Sequence, residues 1–174
     1  GRAPLAANVT GHSMVEPSTE TVARVRPSRW RITVRCTRTL LERLNAPSGS
    51  ELAASTTVLG DWYANILYSR PAHLILCVNG RSLLPVVLPA RELSTLGERL
   101  RDSVGHMLEA IRAPSRAVDA ELQQMGTVAF GPTNNRRILG TINEFMFHLE
   151  VMLAEQAHLS LPEMALRLAQ TPCK

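Results

Sequence analysis

The stretch VLGDWYANILYSRPAHLILCVNGRSLLPVVLP, Val58 to Pro89, decides how the chain is to be read. Three apolar runs are separated by Ser69-Arg70-Pro71 and by Asn79-Gly80. Asn-Gly between apolar runs is the strongest short-range hairpin signal, because both central residues of a type I′ turn need positive φ. The runs therefore predict an antiparallel meander onto which the rest of the chain packs. Asp61, Tyr63 and Asn65 alternate with Trp62, Ala64 and Ile66 along the first run. The run His73 to Val78 is apolar on both faces, as in a central strand covered on both sides. Pro85 places the third run at an edge or a bulge.

Outward from this stretch, Trp30 to Cys36 reads as a half-buried strand. Its apolar set is Trp30, Ile32, Val34 and Cys36, and Arg31, Thr33 and Arg35 are expected to face solvent. A short helix follows with Leu40, Leu41 and Leu44 inward, capped by Thr39 or Thr37. Leu93, Leu96, Leu100, Val104, Met107 and Ile111 mark a long amphipathic helix that stops at Pro114. A second helix covers Ser115 to Met125, and Thr127 to Phe130 is a short strand. Asn134 or Asn135 caps the longest helix, which runs to about Gln156. A second line of Gly140, Asn143, Phe147 and Val151 suggests contact on more than one side. Ser160 and Glu163 form a capping box for the last helix.

The fold expected is α+β: a mostly antiparallel sheet of four or five strands built on the meander, with helices packed mainly on one face. Residues 1–28 lack hydrophobic periodicity and read as a disordered arm, in which Met14 has the look of the original start and the preceding residues that of an expression remnant. Residues 29–174 form a single domain.

The chain has 174 residues, 45% hydrophobic and 20% charged, with a net charge of +4. These are ordinary values for a globular protein, and no apolar run is long enough to span a bilayer. Three cysteines without a C-x-x-C pair fit a reducing cytoplasm. The five histidines have no zinc-ligand spacing, so neither a metal nor a cofactor is expected. Walker, Rossmann and G-x-S-x-G patterns are absent.

The strongest functional candidate is GPTNNRRILGTINE, Gly131 to Glu144. A strand end there passes into a helix start, where free N–H groups and the helix dipole favour anions. Arg136 and Arg137 oppose that dipole, so a phosphate or carboxylate ligand, or an acid such as Asp61, is expected to compensate them. Against this stands simple capping by Asn134 or Asn135 with the arginines solvated or internally paired. Asn143 reads as a buried, hydrogen-bonded amide and Gly140 as a close-packing position. Asp61, Tyr63 and Asn65 on one strand face either line a pocket or form a satisfied polar network. Arg24 to Arg43 is a basic tract with Glu42 as its only acid, either a nucleic-acid track or a solvated strand face that guards an edge.

Three blocks, RCTRTLLERL (35–44), TVLGDWYANILY (57–68) with LCVNGRSLLPVVLP (76–89), and GPTNNRRILGTINEF (131–145), resemble a family of small bacterial proteins classed as a domain of unknown function. The resemblance spans roughly Trp30 to Cys173. Asp61, Trp62, Asn65, Asn79, Asn135, Arg136, Gly140 and Asn143 match its recurring positions, whereas Arg137 departs from them. It implies fold boundaries and no activity.

The expected function is a non-catalytic binding or regulatory module for an anionic partner, nucleic acid or a phosphate-bearing ligand. It would act through Asn134, Asn135, Arg136 and Arg137, with Asn143, Asp61 and Asn65 nearby. One alternative is a small hydrolase or nuclease-like enzyme using Asp61 with Asn135 and Arg136. Another is a structural homodimer joined through the Pro85 edge or an outer helix face.

Overall fold

The computed structural model describes residues 30–46 and 52–172. The proposals for the N-terminal arm, for Arg24, Arg26 and Arg29, and for Cys173 lie outside the described residues. In chain order the elements are β1 (Arg31–Cys36), α1 (Arg38–Leu44), β2 (Trp62–Leu67), β3 (Leu74–Asn79) and β4 (Pro85–Pro89). After them come α2 (Leu96–Ala110), α3 (Ser115–Gln124), β5 (Thr127–Pro132), α4 (Arg136–Glu155) and α5 (Leu161–Ala169). They make an α+β domain around one five-stranded sheet of order β4-β3-β2-β1-β5.

The sheet is mixed. β2 pairs antiparallel with β3, and β3 with β4, whereas β1 runs parallel to both β2 and β5. Antiparallel pairing holds through β2, β3 and β4, as expected, and gives way to parallel pairing at β1. That strand feeds α1, a crossover that returns the chain to a parallel neighbour, as parallel pairing requires. β1 is consequently an interior strand, between β2 and β5, and Thr33 and Arg35 are buried rather than solvent-facing. Every residue of β3 is buried, and β4 and β5 are the two edges.

Helices cover both faces, which corrects the one-sided arrangement. Val128 pairs with Ile32, and Val34 with Trp62, so these residues share a face. Gly97 of α2 packs there: a Cβ at that position would stand 2.7 Å from Val128 Cγ2. On the opposite face Asn65 Nδ2 meets Met146 Sδ of α4 at 3.1 Å. Trp62, Ile75, Leu96 and Leu100 fill one layer, and Ile142, Phe145 and Leu149 turn inward from α4.

The β3–β4 connection is not the two-residue turn that Asn-Gly suggests. Among the described residues Gly60 is the only glycine with positive φ, and in this turn the left-handed position falls on Leu83, at φ 58°. The Asn79 side chain organises the loop instead. Its Oδ1 accepts from the Arg81 and Ser82 N–H groups at 3.0 and 2.9 Å, and its Nδ2 donates to the Leu59 carbonyl at 3.0 Å. Gly80 is needed for space. A Cβ there would come within 2.9 Å of Tyr63 Cε2 and 3.2 Å of the Asp61 carbonyl oxygen.

Candidate functional site

The site is built where β5 hands the chain to α4. The Thr133 N–H donates to the Cys36 carbonyl at 3.1 Å, so the strand end stays tied to β1. Asn134 Oδ1 accepts from the Tyr63 hydroxyl at 2.9 Å, which fixes the helix entrance to β2. Asn135 is the cap: its Oδ1 accepts from the Arg137 and Ile138 N–H groups at 3.0 and 3.3 Å. The two asparagines thus divide the labour, and the cap occupies two of the N–H groups that an anion would have used. Burial pushes the Tyr63 phenol above its ordinary value against the opposing pull of Arg35, which keeps it a neutral donor.

Arg136 and Arg137 are exposed, and neither guanidinium forms an ion pair among the described residues. The first turn of α4 contains no acid. Asp61 does not compensate them. Its Oδ2 accepts from Arg35 Nε at 2.7 Å and its Oδ1 from the Ser55 N–H at 2.7 Å. Partial burial opposes ionisation, yet those two donors hold its carboxyl below the usual carboxylate range. Asp61 lines a separate hollow of about 230 Å³ with Ser55, Gly60, Tyr63, Gly80 and Arg81.

Asn65 is likewise engaged internally, its Oδ1 accepting from Thr37 Oγ1 at 2.7 Å. Thr37 precedes α1 and spends its hydroxyl on this bond rather than on capping the helix. Asn143 and Gly140 depart from expectation. Both are exposed, and a Cβ on Gly140 would meet nothing within 4 Å. Asn143 therefore lies on the outer face of α4, away from the Tyr63–Asn134 bond. The basic tract is broken up as well. Arg35 is buried against Asp61, Arg38 pairs with Glu42, and Arg43 stands 5.8 Å from the Tyr68 ring centre.

A larger cavity of about 640 Å³ opens at the carboxyl ends of β1 and β5, lined by Cys36, Arg38, Leu41, Glu42, Pro132 and Thr133 among others. The Thr133 hydroxyl is buried without a hydrogen-bond partner among the described residues. Here the chain leaves two adjacent parallel strands toward opposite faces, α1 on the Cys36 side and α4 on the Asn65 side. Such a switch point leaves a crevice between the two exits, the usual ligand position in open sheets with parallel strands. Sequence reasoning singled out the α4 entrance but missed Thr133, Arg35 and the parallel pairing, because spacing along the chain does not reveal which strands are neighbours.

Among the described residues, no group of three or more His, Cys, Asp or Glu side chains is placed to hold a metal, and no helix is long and apolar enough to cross a membrane. Cys36 and Cys77 are buried free thiols. Comparison with curated proteins and with solved structures finds no match. The model of a family described as a domain of unknown function, DUF6933, matches residues 33–174, and the chain belongs to that family.

Proposed function

We propose that the protein is a non-catalytic binding module that receives a phosphate-bearing ligand at the entrance to α4, with Arg136 as the direct contact and Arg137 adding to the local field. The observation that carries this reading is the pair of guanidinium groups left without an acid at the positive end of a helix. Two like charges there are unfavourable until an anion arrives. The crevice at the ends of β1 and β5, with the unpartnered Thr133 hydroxyl, supports the same location. Asn134 and Asn135 act as positioning residues, holding the entrance to β2 and shaping the first turn.

An enzyme built on Asp61 has less support. A carboxylate engaged on both oxygens and held ionised is a poor proton donor, and its partner is Arg35 rather than Arg136. The proposed setting is the cytoplasm of a bacterium, in keeping with the buried reduced thiols.

Isothermal titration tests the reading, with inorganic phosphate and a short single-stranded oligonucleotide as separate probes at rising salt. Binding that weakens with salt and falls about tenfold in Arg136→Ala, with an unchanged circular dichroism spectrum, is expected. Absence of binding by both probes, or equal affinity in the variant, overturns it. The probe that binds more tightly identifies the source of the phosphate.

A further inference from the structure

The outer face of α4 is left uncovered by the described residues. Gly140, Asn143, Phe147 and Val151 follow one another at three- and four-residue spacing, and all four are exposed. Phe147 is 63% exposed and Val151 37%. An aromatic side chain this open, on a helix of 20 residues, is a large apolar area to leave in water. Gly140 adds a flat place where another backbone can approach closely.

Charge identifies the occupant. Arg137 stands in the first turn of α4 and Glu155 in the last, each at the helix end whose dipole disfavours it. They are about five turns apart and therefore on the same flank, with Glu144 and His148 between them. Glu144 and His148, although one turn apart, form no ion pair among the described residues. Arg137 and Glu155 lie equally far on either side of Met146, and so do Glu144 and His148. That pattern is complementary to itself when reversed. In a two-fold antiparallel arrangement the same flanks adjoin, which is the geometry of an isologous interface.

We infer that α4 is the contact surface for a second copy of this chain, packed antiparallel about Met146. Phe147 forms the apolar centre with its counterpart, Arg137 faces Glu155 of the partner subunit, and Glu144 faces His148 of the partner subunit. Each helix supplies the charge that the opposing helix end lacks. The pairing gives Arg137 an acid of the partner subunit and so takes it out of the field at the anion site, which then rests on Arg136; phosphate titration tests the one proposal and sedimentation the other.

Sedimentation velocity of the full chain at tens of micromolar tests this, with circular dichroism as the control for folding. A dimer is expected, reduced to a monomer by Phe147→Glu. Arg137→Glu alone should weaken the dimer at least tenfold, and Arg137→Glu combined with Glu155→Arg should restore it. A monomeric full chain overturns the inference. So does a dimer that survives Phe147→Glu, or a double variant that stays as weak as the single one.

Discussion

Arg35 in β1 donates its Nε–H to Asp61 Oδ2 across 2.7 Å, tying this interior strand to the residue that leads into its parallel neighbour. Both side chains are largely out of water, at 10% and 18% exposure. The register of β1 with β2 starts beside this pair, at Val34 with Trp62. Removing one partner leaves a charge with little solvent, a cost of about 3–5 kcal/mol for a fully buried pair and roughly 2 kcal/mol after allowing for the residual exposure. Asp61→Ala also orphans the Ser55 N–H. Denaturant unfolding should show the midpoint moving down while the slope holds. An unchanged midpoint would mean that the pair is energetically idle.

The same carboxylate makes stability depend on pH. Its folded-state pKa is depressed, so the folded protein resists protonation that the unfolded chain accepts near pH 3.9. The contribution is complete above about pH 5 and is lost as pH falls through the depressed folded value. Glu163, drawn down by the Ser160 N–H and hydroxyl of its capping box, acts in the same direction from an exposed position. The Asp61 share is isolated by difference. Asp61→Asn should narrow the gap to the parent protein between pH 5 and pH 2, and a gap constant over that range contradicts the depressed value.

Gly80→Ala places a methyl group 2.9 Å from Tyr63 Cε2 and 3.2 Å from the Asp61 carbonyl oxygen. The backbone oxygen cannot swing aside, and the Tyr63 ring is held by its hydroxyl bond to Asn134. Overpacking of this kind costs about 1–3 kcal/mol. The displaced ring should also loosen the α4 entrance, which hydrogen exchange of the Arg137 and Ile138 amides reports. Tyr63→Phe, which removes only the hydroxyl, is expected to reproduce the faster exchange at a stability cost of about 1 kcal/mol.

Legibility followed locality. The helix of α4, its asparagine cap and the Ser160–Glu163 box were readable because each depends on residues within a turn of one another. The five strands were readable from alternation and turn signals. Parallel pairing of β1 was not, since Arg31, Thr33 and Arg35 look like a solvent face until Thr33 meets the Ala53 carbonyl and Arg35 meets Asp61. Burial of a polar side chain depends on a partner far along the chain, and a single sequence does not name that partner. At the candidate site, Arg136 and Arg137 were identifiable as unbalanced charge at a helix start. The Tyr63–Asn134 bond and the Thr133 hydroxyl were not, because both depend on the order of β2, β1 and β5 in the sheet.

The buried thiols give a prediction that needs no unfolding energetics. Burial pushes Cys77 up to about 12 and Cys36 higher still, so neither is a thiolate near neutrality. In a Cys173→Ser variant, a disulfide-exchange reagent at pH 8 should find no reactive thiol in the folded protein and two after denaturation. Rapid titration of either thiol under native conditions would place it nearer the surface than its strand position allows.

Asn79 offers the sharpest test of how the β3–β4 loop is held. The side chain is fully buried and serves both sides of the loop. Its oxygen accepts from the N–H groups of Arg81 and Ser82 and from Ser82 Oγ, and its nitrogen donates to the Leu59 carbonyl. Asn79→Ala strips both functions and leaves the part-buried Arg81 and Ser82 N–H groups and the Leu59 carbonyl without this partner, for a loss on the order of 2 kcal/mol. Asn79→Asp keeps the acceptors for the loop and removes the donor to Leu59, while burying a charge with no cation paired to it. It should therefore destabilise strongly near neutral pH and recover in mild acid, where the protonated carboxyl can again donate. Recovery in Asn79→Asp but not in Asn79→Ala, followed by thermal unfolding between pH 7 and pH 5, is the expected signature. If both variants lose the same stability at every pH, the amide matters only for the space it fills, and the loop is held by its backbone alone.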